Sequence, residues 1–369
     1  MNEIENRRYE LVHILKYCNY GVHRGCIAGR MISIPRNHCD FDNGVTLEDT
    51  KRFPLFSTGP VSGAVTVVRS VPGTRSVAMK LSVIIPYMNA ADTIGATLDA
   101  LVHQSWPSDW EVIIADNGST EALGPIVAPY KTKIPSLKIV DASAKCGAAY
   151  ARNVAVRAST GDRMLFCDAD DVPGCGWATA MALALTNHHF VAARFEFQKL
   201  NPPSIAASRG GTQADGLQTC RWLPFPHAAG GSIGISRHLH DGVGGFDETI
   251  PIGEDADYCM RIQFTGHNLV FVPDAVLHYR LRTTQTGTFM QASRYAKHVV
   301  YLYKRYGKSS SWELWRWRAY VQGWGLLLQR TPALARTPEG RNMLAWRLGT
   351  YIGALRGSLR YRVPPVMIE

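Results

Sequence analysis

The chain has no Cys-x-x-Cys pair. Its eight cysteines (Cys18, Cys26, Cys39, Cys146, Cys167, Cys175, Cys220 and Cys259) fall at irregular intervals. In 369 residues that excludes a disulfide framework and reads as the reduced thiols of a cytosolic setting. Long apolar runs are missing too. The longest uncharged stretch, 172–193, is broken by Pro173, Gly174, Gly176, Asn187, His188 and His189. It excludes a membrane span and predicts a globular helix running into a strand. The first thirty residues are interrupted by charges and lack an apolar segment, so no signal peptide is expected. Neither GxGxxG nor GxxxxGK[ST] occurs, which disfavours a dinucleotide dehydrogenase and a P-loop NTPase. No internal repeat or low-complexity tract is present.

Charge is sparse and uneven. Charged residues make up 19% and apolar ones 46%, the balance of a chain with a real core and not of a disordered polymer. The net charge of +10 comes from the far end. Residues 79–280 carry fifteen basic and twenty acidic groups, whereas residues 281–369 carry fifteen basic and only three acidic. That basic segment points to phosphate, nucleic acid or an anionic membrane as partner.

Residues 1–78 show no periodicity. Their His13, Cys18, His23, Cys26, His38 and Cys39 are candidate zinc ligands, but the spacing fits no usual template. From Leu81 the pattern sharpens. Leu81 to Pro86, Glu111 to Asp116, Leu137 to Val140 and Met164 to Cys167 read as short buried strands. Between them, Ala91 to Gln104, with Asp92 as expected N-cap, and Gly147 to Ala158 read as helices. This alternation predicts an α/β fold with a parallel sheet, in which chemistry sits at the carboxyl ends of strands.

Acidic residues stand at those ends. Asp116 closes the second strand, and Asp168-Ala169-Asp170-Asp171 follows the fourth. Two carboxylates at i, i+2 can share a hard divalent cation, although a solvated turn is the plain alternative. Further on, Gly244-Gly245-Phe246-Asp247-Glu248 leads to Gly253-Glu254-Asp255-Ala256-Asp257, with Arg261 after it. Glu254, Asp257 and Arg261 also fit a helical salt-bridge face.

Four ordered segments together resemble the family 2 glycosyltransferases of GT-A fold. They are LSVIIPYMNA (81–90), TLDALVHQSWPSDWEVIIADNGST (97–120), GAAYARNVAVRASTGDRMLFCDADD (147–171) and GGSIGISRHLHDGVGGFDETIPIGEDADYCMRI (230–262). The resemblance implies a Rossmann-like, mostly parallel sheet flanked by helices over 79–290. It also implies transfer of a sugar from a nucleotide-sugar donor to a glycan or lipid-linked acceptor. By the same resemblance Pro86 and Asn89 lie beside the donor nucleotide and Asp116 contacts its base or ribose. Asp168 and Asp170 hold Mg²⁺ or Mn²⁺ against the diphosphate, with His278 a further ligand. Asp255 is the general base, with Glu254 beside it. Gly230 and Gly231 would let backbone approach the sugar closely, or form a plain turn. Two departures leave the nucleotide open: Met88-Asn89-Ala90 replaces the common Tyr-Asn-Glu, and Asp116-Asn117 replaces two Asp.

The chemistry suits these roles. A metal held by carboxylates neutralises a departing diphosphate, and one carboxylate base opposite it gives single displacement with inversion. The alternatives are a nucleotidyltransferase, whose GxGTR-type loop is missing here, and an inactive sugar-nucleotide-binding protein.

Residues 291–369 are expected to form a basic helical tail. Five tryptophans (Trp312, Trp315, Trp317, Trp324 and Trp346) and nine arginines between 310 and 363 suggest a membrane interface. Core packing through Trp317, Val321, Trp324 and Leu328 is the plain alternative, and RNA stacking a weaker one. A cytoplasmic enzyme, in peripheral contact with the inner face of an anionic membrane and with no nucleic-acid partner, is the resulting expectation. Because the resemblance starts at Leu81, residues 1–78 are expected to be dispensable, the product of a start site placed too far upstream, with a genuine accessory segment as the alternative.

Overall fold

The computed structural model describes residues 24–27, 30–33, 79–106, 109–134, 136–209, 212–307 and 313–366. Two compact units divide the chain, Met1–Pro72 and Gly73–Glu369. In the first, strands β1 (Arg24–Ile27) and β2 (Arg30–Ser33) pair antiparallel. Of the six candidate zinc ligands only Cys26 falls on a described strand; the others, and most of residues 1–78, lie outside the described residues.

The second unit runs β3 (Leu81–Tyr87), α1 (Ala91–Val102), β4 (Trp110–Asp116), α2 (Leu123–Val127), β5 (Leu137–Asp141), α3 (Ala148–Ala158), β6 (Arg163–Phe166) and β7 (Val172–Pro173). It continues through α4 (Trp177–Asn187), β8 (Phe190–Glu196), α5 (Pro203–Arg209), β9 (Ile233–Ser236), α6 (Arg237–Gly242), α7 (Glu254–Phe264) and β10 (Val270–His278). Three long helices close it: α8 (Gln285–Tyr306), α9 (Glu313–Leu334) and α10 (Pro338–Tyr361).

Eight strands form one sheet in the order β5-β4-β3-β6-β9-β8-β10-β7. The β5-β4-β3-β6 and β8-β10 pairings are parallel, while β9 runs antiparallel to both its neighbours, as β7 does to β10. This is the mostly parallel, helix-flanked GT-A architecture expected from the sequence. The alternation of side chains along β3 explains the layers. Leu81, Val83 and Ile85 pack with Ile94, Leu98, Trp177 and Met181 of α1 and α4. Ile84 faces the other way, with Ala151 and Ala155 of α3 and Tyr258 and Met260 of α7.

One capping expectation fails. The N-cap of α1 is Ala90, whose side chain caps nothing, and Asp92 lies inside the first turn. The cap comes from elsewhere: Glu121 accepts the Ala91 N–H at 2.7 Å. A carboxylate there also suits the positive end of the helix dipole.

The tail differs from expectation in two respects. Helix α8 spans residues 290 and 291, and α8 to α10 belong to the same compact unit as the sheet. Of the stripe Trp317, Val321, Trp324, Leu328, Trp324 packs on the core, against Tyr320 and Tyr351, whereas Val321 and Leu328 are both 65% exposed and Trp317 is 39% exposed. Tyr320 and Leu327 of α9 supply the buried contacts instead, against Tyr351 and Ala354 of α10 and Val300 of α8. No helix among the described residues is long and apolar enough to cross a membrane.

Candidate active site

The parallel register brings Tyr87 of β3 beside Asp116 of β4, and Asp116 beside Asp141 of β5. Pro86 lies one residue before the end of β3, paired with Ala115. Asn89 adopts a left-handed backbone (φ 48°), a conformation asparagine tolerates better than most residues. Its Oδ1 accepts from the Thr120 N–H at 2.9 Å and from the Thr120 hydroxyl at 3.1 Å. Asp116 accepts the Ser119 N–H at 3.0 Å. Asn89 and Asp116 thus shape one loop, 117–121. Asn117 turns inward, donating to the carbonyls of Ala142 (2.6 Å) and Lys145 (2.8 Å) and accepting the Gly147 N–H (2.8 Å). An amide can do both and a carboxylate cannot donate, which accounts for Asn at this position.

The acidic turn after β6 is clamped by α1. Thr93 and Thr97 donate to the Ala169 carbonyl at 3.0 and 3.2 Å, and Thr97 to that of Asp171 at 2.7 Å. From the other side, Arg280 donates its Nε to the Asp170 carbonyl and its backbone N–H to Asp171 Oδ1, both at 2.9 Å. Burial and the Asp168 charge push the Asp170 carboxyl above its ordinary value, with Arg282 opposing. Asp171 Oδ2 is buried without a hydrogen-bond partner.

Arg152 of α3 joins the two halves of the site. Its buried guanidinium donates to Asp168 Oδ1 at 2.8 Å and to Glu254 Oε1 at 2.7 Å. Gly230 and Gly231 make room for that arrangement. A Cβ on Gly230 would meet the Arg152 guanidinium carbon at 2.7 Å, and one on Gly231 would meet Asp168 Cγ at 2.6 Å. The close approach here is by protein side chains.

The acidic pair at the start of α7 divides its work. Glu254 is buried and locked to Arg152; burial, then the Asp255 charge, pushes it up to about 7 despite the arginine. Asp255 is only partly buried and accepts the Gly230 N–H at 3.1 Å. The helical salt bridge weighed for this segment exists in part, as Arg261 pairs with Asp257 at 2.8 Å while Glu254 faces away toward Arg152.

His278, at the end of β10, hydrogen-bonds Glu196 through Nδ1 at 2.6 Å, and its Nε2 lies 3.4 Å from Lys199 Nζ. Among the described residues no three His, Cys, Asp or Glu side chains gather into a metal cluster. The structure therefore brings together Asp168, Glu254 and Asp255 around Arg152, Gly230 and Gly231. Sequence reading gave no role to Arg152, Arg280 or Arg282. Arg152 lies within the 147–171 segment, and its signal was a basic residue on an apolar helix face. A cleft of about 760 Å³ nearby, lined by Lys145, Asn153, Phe246 and Glu248 among others, does not include these carboxylates.

Comparison with known proteins bears on the family and the fold. Residues 82–242 match the family described as Glycosyl transferase family 2. Glycosyltransferase AglE of Haloferax volcanii is 26% identical over 206 residues, covering 53% of this chain and 65% of its own. A poly(ribitol-phosphate) beta-glucosyltransferase of Bacillus spizizenii is 37% identical over 98 residues, 26% of this chain and 16% of that protein. The chain thus spans less than two thirds of these curated relatives. Among solved structures, the mannosyltransferase PcManGT from Pyrobaculum calidifontis, in complex with GDP-Man and Mn²⁺, aligns with a TM-score of 0.55 at 20% identity. The alignment covers 76% of this chain and 88% of that one, a likeness of fold.

Proposed function

We propose that this chain transfers a sugar from a nucleoside diphosphate sugar to an acceptor hydroxyl with inversion, on the cytoplasmic side, in the synthesis of an envelope or surface glycan. The observation that carries the reading is the Asp168–Arg152–Glu254 bridge, with Asp255 beside it on the Gly230 N–H. It sets a carboxylate turn for the donor opposite a separate carboxylate for the acceptor. The names of the two curated relatives, a glycosyltransferase and a poly(ribitol-phosphate) glucosyltransferase, support the class and the kind of acceptor.

Pro86, Asn89 and Asp116 border the nucleotide in this reading. Asp168 and Asp170 would hold Mg²⁺ or Mn²⁺. The residues suit such an ion, because Asp170 is partly buried beside the Asp168 carboxylate, and desolvation first, then that neighbouring charge, raises its proton affinity. When bound, the cation neutralises charge on the departing diphosphate. His278 is a third candidate ligand, its Nδ1 anchored by Glu196 as metal-bound imidazoles usually are. Asp255 takes the acceptor proton, and Glu254 holds Arg152 in place.

The test is Asp255→Asn, which keeps shape and loses basicity. Turnover should fall ~10²–10⁴-fold with donor affinity by calorimetry nearly unchanged. Turnover like the parent's would move the base elsewhere, with Glu254 next in line.

A further inference from the structure

We propose that the outer face of α9, together with the C-terminal end of α10, is a docking surface for an anionic lipid bilayer. The inference rests on the surface itself and does not depend on the transferase reading.

At 100° per residue, Trp317, Val321 and Leu328 fall within roughly 40° of one another on α9. Their exposures are 39%, 65% and 65%, and Leu359 of α10 is 70% exposed. A groove of about 350 Å³, lined by Trp317, Leu359, Arg362, Val363 and Pro364 among others, joins the two helices. Exposed apolar side chains aligned on one face in this way mark a contact surface.

Arginines fringe the strip. Arg318 lies roughly 60–100° around α9 from it, Arg336 stands in the turn just beyond the end of α9, and Arg360 and Arg362 stand at the end of α10. All four are exposed, and none forms an ion pair among the described residues. Over residues 281–369 only Glu313, Glu339 and Glu369 are acidic.

This combination selects the occupant. A second copy docking through the same patch about a twofold axis would set arginine fringe against arginine fringe. Single-stranded RNA needs aromatic platforms, whereas the strip offers one indole and three aliphatic side chains. An anionic bilayer satisfies both parts, with phosphates for the guanidinium groups and an acyl boundary for the strip. Tryptophan favours that boundary, its ring apolar and its N–H polar. Since no described helix is long and apolar enough to span, the face would lie on the membrane plane.

The experiment uses the full chain and vesicles of phosphatidylcholine with or without 30% phosphatidylglycerol. Binding to the anionic vesicles should exceed binding to the neutral ones at least tenfold and weaken as salt rises. Val321→Ser with Leu328→Ser should reduce it tenfold or more while circular dichroism and the melting midpoint stay near the parent's. Arg362→Gln alone should weaken it about fivefold. Brominated lipid should quench the fluorescence difference between the parent and Trp317→Phe. Equal binding to both vesicle types, no binding at low salt, or the same affinity in the double variant would overturn the proposal. So would a dimer in sedimentation equilibrium that the double variant dissolves, or RNA binding lost in the variants while vesicles are ignored.

Discussion

Arg152 is the residue on which the site turns. It holds one carboxylate from the turn after β6 and one from the start of α7, and Glu254 sits near the point of protonation because it is buried beside Asp255. For a carboxylate raised to about 7, acidification below neutrality adds the proton and removes half of the grip on Arg152. We expect kcat to rise with pH through about 7 in the parent. Glu254→Gln should abolish that inflection and hold a lower, flatter rate, read from initial rates between pH 5.5 and 8.5. An unchanged inflection in the variant would assign it to another group. The positions of these carboxylates were legible in the sequence, because carboxylates after short apolar strands keep their one-dimensional order at a sheet edge. Arg152 was not, since only the fold shows that an arginine on a helix 102 residues from Glu254 points at it.

Two contacts decide how elements are held. Glu111 of β4 is buried and accepts from Ser82 of β3 (2.8 Å), from the Thr160 N–H (2.5 Å) and hydroxyl (2.9 Å), and from Lys138 of β5 (3.1 Å). Burial alone would raise its pKa; these donors outweigh it and hold the value at about 2, below the ordinary 4.5. A depressed carboxylate contributes stability that is present above about 4.5 and is lost as pH falls toward 2. Thermal midpoints of the parent and Glu111→Gln should therefore differ most near neutrality and converge at low pH. The second contact is between α8 and α10. A Cβ on Gly349, Gly353 or Gly357 would come within 2.4, 2.2 and 2.8 Å of the carbonyl oxygens of Phe289, Ser293 and Lys297. Small residues every fourth position let two backbones touch. Gly353→Ala should cost about 1–3 kcal/mol by urea denaturation, as overpacking does. The sequence reading registered helical texture in this region and passed over the glycine spacing. Its arginines and tryptophans suggested a surface, while the tight pairing depends on what faces the glycines from another helix.

Across the molecule, the unit Gly73–Glu369 contains every residue placed in the site. Its first strand is anchored within the unit, since the Leu81 N–H donates to the Asp109 carbonyl and the Asp162 N–H to that of Lys80. A chain beginning at Met79 should fold with the parent's melting midpoint and keep its transferase rate, measured side by side. An insoluble product would make residues 1–78 part of the enzyme. The strand order was only half legible. Four parallel strands follow from apolar runs at regular spacing, but Ile233–Ser236 is four residues long and enters antiparallel between β6 and β8. Its sequence, Ile-Gly-Ile-Ser, has a glycine at its second position and lacks the continuous apolar run of the other short strands, and its place is set by the sheet around it.

The bridge through Arg152 has a consequence for chimeras. It ties the first half of the sheet to α7, while the family match ends at residue 242, short of Glu254. A crossover placed between β6 and β9 would inherit the arginine from one parent and its glutamate from the other. Such a hybrid would keep all of its strands and still be mismatched at its centre, unless both parents bring a compatible pair. Recombination libraries built on this scaffold should therefore sort less by where the joint falls in the sheet than by whether residues 152 and 254 travel together.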